Sequence, residues 1–375
     1  MVEAELSPAE IERYHRQILL REFGLEGQKK LKSAKVLVIG AGGLGSPLLL
    51  YLAGAGIGTI GIVDGDVVET INLHRQIIHS SNNLKINKAE SARRLLQELN
   101  PEIKLEIYTQ WLTGESSASI VPGYDIIVIA TDNVESRYLI SDLGVYYKKP
   151  VISGSALRWE GQLTVFSPSP CIRCLFPQPT PRHAWSKASD IGVLGPIPGV
   201  IGTLQAIETI KLILGLPVLS RKLLMYDGLS CQFKLFQLRD TSPTCPACSG
   251  QINPHTFNYA EFLGQIPAIP SIPDKEINCA ELKRLIELKR VQIIDVRNSN
   301  HFNICHIENS IHIPIHDVEN SSEIFSSNEP LVFVCKTGAD SARAVEKVEA
   351  RGIEASYLKG GLDAWKEAEP SFIIF

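Results

Sequence analysis

Apolar residues along this chain fall into short buried runs and longer stretches at helical spacing, and the two kinds alternate from residue 7 to residue 147. A helix is predicted over 7–23, opened by Ser7, Pro8 and the capping-box acid Glu10, with Leu19, Leu20 and Phe23 at helical spacing and Gly24 ending it. Residues 36–39 read as a buried parallel strand, Gly40 to Gly45 as a tight turn, and Leu44 onward as a helix start. Strands follow at 59–63, 104–108 and 125–130, with helices at 88–99, 113–120 and 134–147. This order implies an α/β fold, a Rossmann-like, mostly parallel sheet with helices on both faces. The pattern turns strand-like from 150 to 166, then loses periodicity over 167–200, a Ser-, Pro- and Gly-rich stretch read as a long surface loop. A helix at 199–214 and strands at 223–227 and 232–238 complete a first domain over 1–250. Residues 251–275 contain Pro254, Pro267, Pro270 and Pro273 and read as a linker with a few apolar residues able to dock. The alternation restarts on a smaller scale over 276–375, with helices at 279–289, 339–351 and 361–367 and strands at 291–295, 310–313, 331–335 and 355–358. That is a second, small α/β domain.

The glycine turn carries the first chemistry. Glycine permits its backbone angles and lets a pyrophosphate approach the main chain, while the helix start offers unpaired N–H groups. Asp64 ends the next strand, roughly 20 residues on, where an acid binds a ribose hydroxyl. The turn alone does not choose among NAD, FAD and ATP. Arg75 and Lys88, with Arg13 or Arg16 on the opening helix, supply charge for phosphate, and Asn72 and Gln76 accompany them. Asp132 follows the strand at 126–130, placed either to hold Mg2+ against phosphate or to cap the helix behind it.

Cysteines form a second constellation. Cys171 and Cys174, and Cys245 and Cys248, are two C-x-x-C pairs suited to a tetrahedral zinc site that clips the tail of the first domain to an internal loop. A redox pair is the competing reading, but it normally begins a helix after a strand, and both pairs are expected in Pro-rich loops. Cys335 lies between a buried strand and a helix in the run Cys335-Lys336-Thr337-Gly338-Ala339-Asp340-Ser341, where loop N–H groups would surround the sulfur of a nucleophile or persulfide carrier. A phosphatase using this geometry needs arginine at position 341, which is Ser. Asp295, Val296, Arg297 and His306 are candidate supports for the loop, and Cys231, Cys279 and Cys305 are read as ordinary.

Composition narrows the partners. The 375 residues are 44% hydrophobic and 21% charged, with a net charge of −4 and a pI near 6.2, which gives no general attraction to nucleic acid or anionic membrane. The polar, acidic N-terminus lacks an apolar leader core, and the most apolar helical stretch carries Glu208 and Lys211, so a cytoplasmic protein is expected.

With these residues collected, the first 250 positions resemble the MoeB/ThiF family of ubiquitin-activating-type adenylyltransferases. The likeness rests on RYHRQ at 13–17, GAGGLGS at 40–46, IVDGD at 62–66, NLHRQ at 72–76, INKAESA at 86–92, ATDN at 130–133, GSALRWEGQLTVF at 154–166 and both C-x-x-C pairs. The last hundred residues resemble a rhodanese domain, through IIDVR at 293–297, HFNICHIENSIHIP at 301–314, the Cys335 loop and LKGGLDAWK at 358–366. The order is that of two-domain activators of sulfur-carrier proteins, among them MoeZ-type bacterial proteins and eukaryotic molybdenum-cofactor and tRNA-thiolation relatives.

The resemblance implies that Gly40, Gly42, Gly43 and Gly45 cradle ATP, that Asp64 holds the ribose, that Asn72, Arg75 and Lys88 bind the triphosphate, and that Asp132 binds Mg2+. Arg16 matches an arginine this family donates across a homodimer interface. The implied reaction adenylylates the C-terminal Gly of a ubiquitin-like carrier ending in Gly-Gly, after which a Cys335 persulfide, charged by a cysteine desulfurase, supplies sulfur for a thiocarboxylate. Two departures stand out. Ala188 occupies the place of a loop cysteine found in several members, so direct attack by persulfidated Cys335 is expected, and Asp340 stands where many rhodaneses have Arg. A non-catalytic scaffold for a ubiquitin-like partner and an NAD-dependent oxidoreductase are the alternatives.

Overall fold

Residues 35–39 place Val36 and Val38 on one face of their strand and Leu37 and Ile39 on the other, all buried, so this strand must lie in the middle of a sheet covered on both sides. A computed structural model describes residues 5–167, 169–179, 192–263, 275–288, 290–321 and 330–372. It divides the chain into two units, Met1–Gln265 and Ile266–Phe375.

The first unit holds β1 (Lys35–Ile39), β2 (Thr59–Val63), β3 (Lys104–Tyr108), β4 (Ile126–Ile129), β5 (Val151–Leu157), β6 (Glu160–Phe166), β7 (Lys222–Asp227) and β8 (Gln232–Gln237). They form one sheet in the order β3-β2-β1-β4-β5-β6-β7-β8. The pairs from β3 to β5 are parallel and those from β5 to β8 antiparallel. The helices are α1 (Pro8–Ile18), α2 (Gly24–Ser33), α3 (Gly45–Ala55), α4 (Lys88–Leu99), α5 (Gly114–Ile120), α6 (Val134–Tyr146), the short α7 (Ile172–Leu175), α8 (Pro196–Leu214) and the short α9 (Tyr259–Phe262). One core joins Val36, Val38, Ile60 and Ile62 to Leu48 and Leu52 of α3, Leu96 of α4 and Ile201 of α8. The other joins Leu37, Ile39, Ile127 and Ile129 to Leu139 and Leu143 of α6. Gly61 is needed where the sheet meets the Tyr124 ring, because a Cβ there would stand 2.3 Å from the phenol oxygen.

Two features depart from the sequence reading. The helix expected over 7–23 ends at Ile18, and Gly24 opens a second helix instead of closing the first. The first C-x-x-C is not in a loop, since Cys171 precedes α7 and Cys174 lies within it. Of the stretch 167–200, residues 168 and 180–191, including Ala188, lie outside the described residues. The two charges on the apolar α8 form an ion pair, Lys211 to Glu208, and Glu208 also accepts the N–H of Leu219.

Residues 251–263 pack on the first unit. Arg173 donates to both carboxylate oxygens of Asp142 on α6, Tyr259 donates to the same carboxylate, and the guanidinium lies over the rings of Phe262 at 4.1 Å and Phe257 at 4.7 Å. Residues 264–274 lie outside the described residues.

The second unit is a parallel five-stranded sheet, ordered β11-β10-β12-β13-β9, of β9 (Glu276–Ile277), β10 (Gln292–Asp295), β11 (Ile311–His312), β12 (Leu331–Val334) and β13 (Ala355–Leu358). Its helices are α10 (Cys279–Glu287), α11 (Ser299–Ile304), α12 (Ala339–Glu349) and α13 (Gly361–Ala368). Ile294, Phe333 and Tyr357 meet Val345 and Val348 of α12 on one face, while Ile293, Val332 and Leu358 meet Leu282 and Trp365 on the other.

Candidate functional site

The strand order reverses at β1, whose neighbours are β2 and β4, and the crevice beyond its C-terminal end is where ligands bind in open α/β sheets. A cavity of about 590 Å3 opens there. Its floor is the glycine turn. Gly40 has φ +104°, and a Cβ on it would lie 2.7 Å from the Ala130 carbonyl oxygen, while one on Gly45 would lie 2.1 Å from the Gly40 oxygen. Gly42 differs, because a Cβ there meets only the Gln76 amide nitrogen at 3.5 Å, so its bareness serves the cavity rather than the fold.

The turn is held from two sides. Asp64 accepts the Ala41 N–H at 2.7 Å with one oxygen and the Asp66 N–H at 2.9 Å with the other, and its burial pushes the carboxyl above the usual range against those bonds. His79 holds the Ala41 carbonyl through Nε2 at 2.9 Å, so Nε2 is the donor, and Nδ1 meets the Ser91 hydroxyl, to which Asn83 donates. Burial lowers the His79 pKa, which disfavours the charged ring.

Around the turn stand the charged groups expected from the sequence. Asn72, Arg75, Lys88, Asp64 and Asp132 all line the cavity together with Gly40, Gly42 and Gly43. Lys88 is buried and pairs with Asp66 at 2.9 Å, and Asn72 accepts from Arg75 at 2.8 Å. Burial lowers the Arg75 pKa and Asp132 opposes that shift. Asp132 is exposed into the cavity and is not the helix cap. Asn133 performs that task, accepting the N–H groups of Glu135 and Ser136. Gln76 is buried on the wall, and its Oε1 has no partner among the described residues.

Arg13 and Arg16 are not there. Tyr14 of α1 packs under Gly56, at the far end of α3 from the turn, and Arg13 donates to the Leu99 carbonyl at the end of α4. An eleven-residue helix separates these ends by about 16 Å. Arg16 is exposed on α1 beside Arg13 and Tyr14. Two residues without an expected role also line the cavity, Asp66 at the end of the IVDGD run and Trp111, whose indole packs on Gly65 at the rim. Arg137 was missed as well, since a basic residue early in a helix carries no local signal of what it faces.

The Sγ atoms of Cys171, Cys174, Cys245 and Cys248 lie within 4.8 Å of one another, and the closer separations run from 3.5 to 3.8 Å. A zinc ion about 2.3 Å from each of four sulfurs sets a tetrahedral edge of about 3.8 Å, so the cluster fits such an ion.

In the second unit the Cys335 sulfur is buried and accepts N–H groups from Gly338 at 3.1 Å and Ser341 at 3.3 Å, with the Ser341 hydroxyl at 3.3 Å. Gly361 packs so closely on this loop that a Cβ would stand 2.4 Å from the Cys335 carbonyl oxygen, which accepts the Leu362 N–H. Asp295 and Arg297 form a buried ion pair beside Val334, whose carbonyl accepts the Val296 N–H. His306 stacks on Phe302. Asp340 pairs with Arg343 at the surface.

With this geometry in view, residues 14–247 match the ThiF family and residues 278–368 the rhodanese-like domain. The chain belongs to the ThiF family. It is 43% identical to the adenylyltransferase and sulfurtransferase MOCS3 of Culex quinquefasciatus, over 99% of this chain and 91% of that protein. It is 42% identical to the protein of the same name from Arabidopsis thaliana, over 99% and 87%. Among solved structures, E. coli MccB with AMPCPP and MccA superposes with a TM-score of 0.56 at 26% identity, over 63% of this chain and 74% of that one. This kinship makes the ThiF-family chain an enzyme of the adenylyltransferase and sulfurtransferase class.

Proposed function

We propose that the chain adenylylates the C-terminal Gly carboxylate of a ubiquitin-like sulfur carrier and then converts it to a thiocarboxylate. The observation that carries the reading is the gathering of Arg75, Lys88 and Asp132 around the glycine turn, since a dinucleotide has little use for so much charge near the cradle. ATP lies with its phosphates over Gly40, Gly42, Gly43 and Gly45, its ribose at Asp64 and its triphosphate against Asn72, Arg75 and Lys88. Asp132 would hold Mg2+, which neutralises phosphate charge when bound. A carboxylate oxygen of the carrier attacks the α-phosphorus, the bond to the bridging oxygen of the β-phosphate breaks, and pyrophosphate leaves. Positioning and charge neutralisation suffice, because the nucleophile is already anionic.

Arg16 serves the cavity of a second copy in a homodimer. Its distance from its own cavity supports this, as do the exposed Leu19 and Leu20 beside it. In the next step the outer sulfur of a Cys335 persulfide attacks the acyl carbon and AMP departs, a thiol then attacks the Cys335 sulfur of the acyl disulfide to release the thiocarboxylate, and a second thiol reduces the mixed disulfide left on Cys335 to the free thiol. The four-cysteine cluster holds structural zinc, having no open position for a catalytic water. A cysteine desulfurase recharges Cys335.

The test is ATP–pyrophosphate exchange with a small ubiquitin-fold protein ending in Gly-Gly. Exchange should require that protein, and Cys335→Ala should keep it while intact-mass analysis shows no sulfur-for-oxygen change in the carrier. Absent exchange together with tight NAD binding would sink the reading.

A further inference from the structure

The cavity has a cationic corner that the nucleotide chemistry leaves unused. Arg137, on α6, lines its β5 side. One guanidinium nitrogen donates to the Ser153 hydroxyl at 3.2 Å, and Ser153 is itself buried on β5, which anchors that end of the group. The other cations of the cavity have carboxylates at hand: Lys88 has Asp66 and Arg75 interacts with Asp132. Arg137 has no carboxylate partner among the described residues, and burial pulls its pKa down, opposed only by the neighbouring Tyr138 phenol. A partly buried guanidinium facing a cavity without a counter-ion is costly unless an anion arrives from outside.

Position decides which anion. Across the crevice, Lys88 with Asp66 stands beyond β2, Asp132 beyond β4, and Arg137 with Ser153 beside β5, the last parallel strand. Beyond β5 the wall is the β5–β6 hairpin, contributing Ser155, Leu157 and Gln162. The phosphate-cradling turn follows β1, so Arg137 lies on the outer side of the reaction centre, where the sheet becomes antiparallel.

We propose that Arg137, oriented by Ser153, binds the terminal carboxylate of the protein substrate before it attacks ATP. A planar guanidinium already tied at one nitrogen holds one carboxylate oxygen through its remaining donors and leaves the other free to reach the α-phosphorus. The assignment rests on the adenylylation reading above.

The experiment separates the two. A ubiquitin-fold protein ending in Gly-Gly is prepared as the free acid and as the C-terminal amide, and both are titrated against the enzyme in the presence of a non-hydrolysable ATP analogue. Wild-type enzyme should bind the acid about 10- to 100-fold more tightly than the amide, the range for a hydrogen-bonded charge pair. Arg137→Met should bring the two within about twofold while leaving affinity for the ATP analogue within about twofold of wild type, which also shows that the variant is folded. Arg137→Lys should restore part of the preference. A full acid preference in Arg137→Met overturns the proposal, as does a wild type without preference, and so does a loss confined to nucleotide affinity, which would make Arg137 a phosphate ligand. Failure of wild-type exchange with the free acid strikes instead at the adenylylation reading.

Discussion

Two glycines of one turn do different work. Gly40 is bare because its backbone sits at φ +104° against the Ala130 carbonyl, and Gly42 because the cavity begins there. Gly40→Ala should therefore cost about 1–3 kcal/mol of stability in denaturant unfolding, the range for a strained backbone position. Gly42→Ala should leave the unfolding midpoint nearly unchanged and weaken ATP binding by about tenfold, because the new methyl fills ligand space. If both variants lose stability equally, the distinction is wrong. The sequence made the turn and its acids legible, since Gly and Asp at these spacings have few other uses. It left Asp132 divided between cap and ligand, and the side-chain bonds of Asn133 exclude the cap.

Elements were legible wherever periodicity was strong, and the misses have local causes. The second helix, Gly24–Ser33, carries Gln28 and three lysines and buries only Gly27, Gln28 and Leu31, so no apolar stripe announces it. Docking of residues 251–263 depends on Arg173, a charged residue that sequence reasoning would send to the surface. It stands instead inside the C-x-x-C, paired to Asp142 and roofed by Phe257 and Phe262. Arg173→Met should destabilise the first domain by about 3–5 kcal/mol, because it strands the Asp142 carboxylate in the core. The double variant Arg173→Met with Asp142→Leu should recover much of that loss, as measured by urea unfolding. A single variant costing no more than a surface change would show that the pair is not structural.

At the scale of the molecule the two units have separate cores and separate requirements. The four cysteines of the first unit join a segment near 171 to one near 245, closing a long loop, and a metal bound there would contribute on the order of 10 kcal/mol. Chelation at neutral pH should lower the calorimetric transition of the first unit and leave that of the rhodanese-like unit in place, and Cys245→Ser should act in the same direction. A first-unit transition indifferent to chelator, with no zinc in metal analysis, would contradict the structural role.

Apolar periodicity, glycine spacing and cysteine pairing by themselves determined the α/β class, the two-domain order and most of the residues that meet at the cavity, because each depends on contacts close in sequence or on a residue type with few substitutes. Only the tertiary structure decided that Arg13 and Arg16 sit at the far end of α3, that Lys88 is matched by Asp66 while Arg137 has no acid, and that Arg173 is a core residue. Those outcomes follow from strand order and register, which bring together side chains remote in the chain, and the local pattern of apolar and polar positions is the same whichever partner a charge finally meets.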